Sequence, residues 1–214
     1  LAGAGWLVPH LPEEISESLM RNIALALAAL VVLAACQPAG TVSQPGRGQS
    51  TLKVVAAETF LADIAQNVAG DRVKVDALMP IGVDPHTFEP TPADVTKVAD
   101  SNMLIINGAG LEKFLDKLLQ NAGGQHQTIE AAAGLTSRRL HGGEIADPDH
   151  TGDPHFWLDP NNVIQYVENI RDGLTKADPS GAVTYTANAS AYIAKLKELD
   201  RWIADRVEEV PEAN

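Results

Sequence analysis

Between Leu52 and Ile129, short apolar runs alternate with helix-length amphipathic segments, and this alternation restricts the possible folds more than any other feature. Leu52-Lys53-Val54-Val55-Ala56-Ala57 reads as a buried strand, and Glu58 to Val68 has helical spacing that Gly70 stops. Arg72 to Leu78 alternates Val73, Val75 and Ala77. Pro92 to Ala99 is helical, Met103-Leu104-Ile105-Ile106 is an apolar strand, Leu111 to Gln120 is helical, and Gln127-Thr128-Ile129 is a weaker fourth strand. Strands separated by helices cannot pair through tight hairpins. The pattern therefore predicts an α/β fold: a parallel four-stranded sheet flanked by helices, with right-handed crossovers. At 214 residues and 45% apolar, the chain can bury a core of one domain or a little more.

Two turns interrupt this scaffold in the same way. Val83-Asp84-Pro85-His86-Thr87-Phe88-Glu89-Pro90-Thr91-Pro92 places one imidazole on a stiffened turn between a strand and a capped helix. Pro85 fixes its own φ and extends Asp84; Thr91 is the expected cap, with Pro92 first and Asp94 third in the helix. Gly152-Asp153-Pro154-His155-Phe156-Trp157-Leu158-Asp159-Pro160 repeats the device, with Asp159 as cap. Two histidines, each delivered by Asp-Pro-His just before a helix start, point to a shared metal site of His86 and His155. Binding needs neutral imidazoles, so it competes with protons in acid solution. Asp84 and Asp153, two residues upstream, are placed either to orient the rings or to shape the turns. Phe156 and Trp157 are expected to pack beside the site and shield it.

A polar, acidic stretch from His141 to His150 precedes the second turn. It reads as a solvated loop or as one whose two histidines loosely collect a cation; both readings stay open. His126 is expected at the surface. Asn107-Gly108-Ala109-Gly110-Leu111-Glu112-Lys113 follows a strand and opens a helix, but a dinucleotide fingerprint would need a third glycine where Lys113 stands. A tight strand-to-helix turn is the better reading.

After a helix over Asn161 to Lys176, Asp178-Pro179-Ser180 starts a much longer one. Tyr185, Ala189, Tyr192, Leu196, Leu199, Ile203 and Val207 form one stripe at alternating spacings of four and three. A rod of roughly 30 residues is ~45 Å long, which suggests a helix that spans something.

At the other end, Met20-Arg21-Asn22, the run Ile23 to Val32 and Leu33-Ala34-Ala35-Cys36 have the layout of a signal peptide too short to span a membrane comfortably. Leu-Ala-Ala-Cys resembles the lipobox of bacterial lipoproteins, in which the cysteine is lipidated. Residues 1–19 are expected to be an upstream extension, 20–36 the signal peptide, and 37–50, rich in Gly, Pro, Ser and Gln, a flexible tether. Cys36 is the only cysteine, so neither an intrachain disulfide nor a cysteine-rich zinc site is possible. A formal charge of −12 argues against nucleic acid as a partner.

Together these motifs resemble the metal-binding solute-binding lipoproteins of bacterial ABC importers, the group that takes up zinc or manganese. The resemblance runs from about Thr51 to Asn214 and rests on the two histidine turns, the Asn107–Glu112 stretch, and Tyr185-Thr186-Ala187-Asn188-Ala189 leading into the long helix. It implies two α/β lobes joined by a spine helix with the metal between them, and His86 and His155 as the first lobe's ligands. On that pattern residues 51–178 are the first lobe, 179–210 the interlobe helix, and 211–214 the start of a second lobe that is absent here, with the remaining ligands. The resemblance further implies a place in the periplasm or at the cell surface, a lipid anchor in a membrane and a membrane permease as partner. Zinc is favoured over manganese because the loop from Leu140 to Asp153 resembles a short form of that in zinc-specific members. The rival readings are a zinc-dependent hydrolase using a carboxylate such as Glu89 or Asp159, and a surface adhesin. No His-Glu-x-x-His signature supports the hydrolase.

Overall fold

The computed structural model describes residues 50–123, 126–137 and 152–211. Four strands, β1 (Val54–Ala56), β2 (Val75–Ala77), β3 (Met103–Ile106) and β4 (Gln127–Glu130), form one sheet in the order β2-β1-β3-β4. All three pairings are parallel, with Val54 opposite Val75 and Met103, and Ile105 opposite Ile129. The helices are α1 (Thr59–Ala69), α2 (Pro92–Ala99), α3 (Leu115–Ala122), α4 (Pro160–Ala177) and α5 (Ala182–Glu208). Single 3-10 turns at Phe156–Leu158 and Pro179–Gly181 precede α4 and α5.

The strands are apolar on both sides because both faces are covered. Val54, Ala56, Met103, Ile105 and Ile129 point to one face and pack against α1, α4 and the first half of α5. Val55, Ala57, Leu104 and Ile106 point to the other, under Val98 of α2 and Leu118 of α3. Successive side chains of a strand alternate faces, so each strand feeds two cores. Fully buried Leu61, Ile170 and Leu174 each contribute roughly 1.5–3 kcal/mol of transfer free energy.

The expected caps form. Thr91 and Asp94 exchange hydrogen bonds as a capping box with Pro92 first in α2, and Asp159 accepts from Asn161 N–H at 2.9 Å ahead of α4. The helix expected from Leu111 begins instead at Leu115, because Gly108, Ala109 and Gly110 all take positive φ and hold the segment in a turn. The stripe on the long helix divides. Tyr185, Ala189 and Leu196 are buried against the sheet layer, whereas Leu199, Trp202, Ile203 and Val207 are exposed. Among the described residues no helix is long and apolar enough to cross a membrane.

A paired-histidine candidate metal centre

His86 is carried by the connection from β2 to α2. Asp84 Oδ1 accepts the His86 backbone N–H at 2.9 Å, and Thr87 N–H returns to the Asp84 carbonyl at 3.2 Å, closing a turn that Pro85 stiffens. The connection from β4 to α4 repeats this around His155: Asp153 Oδ1 accepts its backbone N–H, again at 2.9 Å. Here the same oxygen also lies 2.6 Å from the ring Nδ1. Asp153 therefore both shapes its turn and orients its ring, whereas Asp84 bonds the backbone of His86.

The two rings meet. Nε2 of His86 and Nε2 of His155 are 3.2 Å apart, with ring centroids at 5.4 Å and planes inclined by 59°. With Nδ1–H given to Asp153, His155 presents the Nε2 lone pair, and the proton between the rings belongs to His86 Nε2. A cation can replace that proton. Two nitrogens 3.2 Å apart, each at the ~2.0–2.1 Å of a zinc–imidazole bond, subtend about 100° at the metal. The His155 ring is flanked by Trp157 at 5.1 Å, which in turn stacks on Phe60 at 4.2 Å, and Phe156 is buried beneath. Both histidines remain open to solvent on one side; the His155 side chain is 38% exposed.

Shallow depressions flank the pair. One of about 360 Å³ lies beside His86 and includes Glu89, Lys113 and Phe114; one of about 320 Å³ lies beside His155 and includes Asp159. A larger one, about 430 Å³, is lined by Lys53, Lys74 and Lys97 and contains neither histidine. Size thus does not select the site; the convergence of ring nitrogens does. Among the described residues no group of three His, Cys, Asp or Glu gathers around one point. Asp159 Oδ1 is engaged as a helix cap.

The sequence profile of the family described as zinc-uptake complex component A, periplasmic (ZnuA) matches residues 54–214. The chain belongs to this family. It is 40% identical over 170 residues to the manganese-binding lipoprotein MntA of Halalkalibacterium halodurans, covering 79% of this chain and 53% of that protein. It is 33% identical over 169 residues to the iron-binding protein YfeA of Yersinia pestis, with the same coverages of 79% and 53%. The crystal structure of Zn(II)-bound AdcA from Streptococcus pneumoniae superimposes with a TM-score of 0.64 at 31% identity, over 73% of this chain and 32% of that one. The chain thus spans about half the length of these curated relatives. Parallel sheet, flanking helices and long final helix agree with the ZnuA-type expectation.

Several expectations lie outside the described residues: the upstream extension 1–19, the signal peptide with Cys36, the tether to residue 49, the loop histidines His141 and His150, and residues 212–214. His126 is half-buried rather than on the open surface, with its Nδ1 shielded and without a partner among the described residues.

Two polar clusters of this ZnuA-family chain were not foreseen. Glu58, at the end of β1, and Glu112, after β3, are both buried at the point where the strand order reverses. Burial first, and the Glu112 carboxyl second, push Glu58 up to about 9, so it holds a proton at neutral pH; both its carboxyl oxygens are shielded and have no hydrogen-bond partner among the described residues. Burial also raises Glu112, partly offset because its two oxygens accept the Asn107 and Gly108 backbone N–H groups. Asn107 in turn accepts from the Tyr166 hydroxyl and donates Nδ2–H to the Pro154 carbonyl at 3.1 Å. The second cluster is a forked ion pair: Arg72 Nε and Nη2 reach Asp178 at 2.6 and 3.0 Å, and Tyr185 and Ser180 hydroxyls donate to the same carboxylate at 2.7 Å. It pins the turn before β2 to the start of α5 and holds Asp178 well below the usual carboxylate range, chiefly through the Arg72 bonds. An acid ending an apolar strand, and an acid in a glycine-rich turn, are the only sequence signals for the first cluster.

Proposed function

We propose that this chain captures a divalent transition metal outside the cytoplasmic membrane, between Nε2 of His86 and Nε2 of His155, for delivery to the membrane permease of an ABC importer. The observation that carries the reading is the 3.2 Å approach of the two nitrogens, with one ring oriented through its far nitrogen by Asp153. The family supports it, as do the relatives named for manganese, iron and zinc. The metal is cargo, so the site needs capture and release and no bond-making step.

Zinc is the first candidate, because two neutral imidazoles at about 100° suit its coordination; manganese, named in MntA, is the second. The pair holds the ion, and the donors completing its shell set the choice among metals. We propose the boundaries as lobe 51–178, spine helix 179–210, tether 37–50 and lipid anchor at Cys36; for His141 and His150 a loop that loosely collects the ion and a solvated loop without that role are the two readings.

Calorimetric titration with zinc and with manganese tests the site. His86→Ala and His155→Ala should each abolish binding at the pair, while His126→Ala binds as the parent does. Parent-like zinc binding by both site variants would overturn the reading.

A further inference from the structure

The hydrogen bonds around Asn107 reach the histidine turn from beneath. The Pro154 carbonyl, one residue before His155, accepts two hydrogen bonds: Phe156 N–H at 2.9 Å, from its own turn, and Asn107 Nδ2–H at 3.1 Å, from the end of β3. Asn107 is itself fully buried and held on each side. Its Nδ2 also donates to the Gly108 carbonyl at 3.0 Å, its Oδ1 accepts from Tyr166 of α4, and its backbone N–H is held by Glu112. The Pro154 and Gly108 carbonyls fix which end of the amide faces them, since only the NH2 end can donate to a carbonyl, and this leaves Oδ1 to accept from Tyr166. Glu112 is kept in place by the backbone N–H groups of Asn107 and Gly108, one on each carboxyl oxygen.

We propose that Asn107 is a positioning residue for His155: clamped by Tyr166 and Glu112, it holds the Pro154 carbonyl and so sets the angle at which the His155 ring faces His86. The inference rests on the proposed pairing of these rings as the metal site. The groups facing this cluster are Glu58 from the β1–α1 junction, Glu112 from the β3–α3 turn and Tyr166 from α4. Loss of an outer contact of this kind costs roughly 10- to 100-fold in metal affinity. Because Asn107 acts through one carbonyl, the lower end applies.

The test uses two measurements on the 214-residue chain. In the metal-free chain with ¹⁵N-labelled histidines, ring spectra report the tautomer and environment of His155. In the parent, His155 should show the Nδ1–H form set by Asp153. Asn107→Ala should shift and broaden the His155 ring signals and leave those of His126 in place. Zinc titration should then show affinity reduced by about 10-fold. Tyr166→Phe, which removes one hydroxyl and preserves the packing, should move both readouts in the same direction by less. It also decides the matter should Asn107→Ala not fold. A variant that loses stability while His155 spectrum and zinc affinity stay at parental values would overturn the proposal. If His155→Ala binds zinc as well as the parent, the metal reading falls, and the metal-free spectra still decide whether Asn107 positions the ring.

Discussion

Replacing Glu58 with glutamine should stabilise the protein, by an amount that grows with pH. Glu58 is 2% exposed and pushed up to about 9, against 4.5 for an ordinary glutamate. The folded chain therefore binds one more proton than the unfolded chain between those values. Stability is full below about pH 4.5 and declines as pH rises, at up to ~1.4 kcal/mol per unit. At pH 7 the 2.5-unit interval from 4.5 corresponds to about 3 kcal/mol lost. A glutamine fills the same volume and can donate N–H to Glu112, with no proton to acquire. Glu58→Gln should thus gain about 2–3 kcal/mol at pH 7 and less than about 1 kcal/mol at pH 5. Urea denaturation of parent and variant from pH 5 to 8, followed by tryptophan fluorescence, measures both. A stability difference that stays flat across this range would refute the argument, because it would mean that Glu58 takes up no proton on folding.

Arg72→Ala leaves the Asp178 carboxylate buried without its forked partner and should cost about 3–5 kcal/mol in the same denaturation assay. Since Asp178 is held below its ordinary value, its contribution is present above about pH 4 and is lost as pH falls further, a window separate from that of Glu58. Trp202 is 58% exposed with Leu199 and Val207 nearby on α5, so the chain should self-associate, and Trp202→Ser should shift sedimentation towards monomer. Cells expressing Cys36→Ser should incorporate no palmitate analogue into the protein, whereas the parent does.

The fold was legible because its signals are local. The strand runs, the Thr91-Pro92-x-Asp94 cap and the Asp159-Pro160 start are all read within a few residues, and each occurs where expected. The two Asp-Pro-His turns were legible for the same reason, and parallel-sheet logic suffices to bring their loops to one edge. The carboxyl pair was not. Glu58 and Glu112 are brought together by the pairing of β1 with β3, which no local pattern around either residue encodes. Leu111 was read as helical because its apolar neighbours have helical spacing. Three consecutive positive φ values at Gly108, Ala109 and Gly110 instead fold the segment back so that Glu112 can reach the strand end. The Arg72–Asp178 fork joins residues 106 apart and was equally hidden.

Local legibility also concealed a difference between the histidines. Their sequence contexts are nearly the same, yet their surroundings are not. His155 has its ring nitrogen bonded to Asp153, its ring inclined at 58° against Trp157, and the carbonyl before it tied to a buried asparagine. His86 is exposed, and its Asp84 bonds the backbone and leaves the ring to turn. Pro85 and the capped start of α2 fix where its Cα sits, and χ1 and χ2 remain to be set by what the ring meets. One ring of the pair is thus preorganised and the other adjusts to it. On the proposed capture function a site has to release as well as bind, and this division would serve both: the fixed ring would limit the entropy lost on capture, and the freer ring would provide a way for the ion to leave.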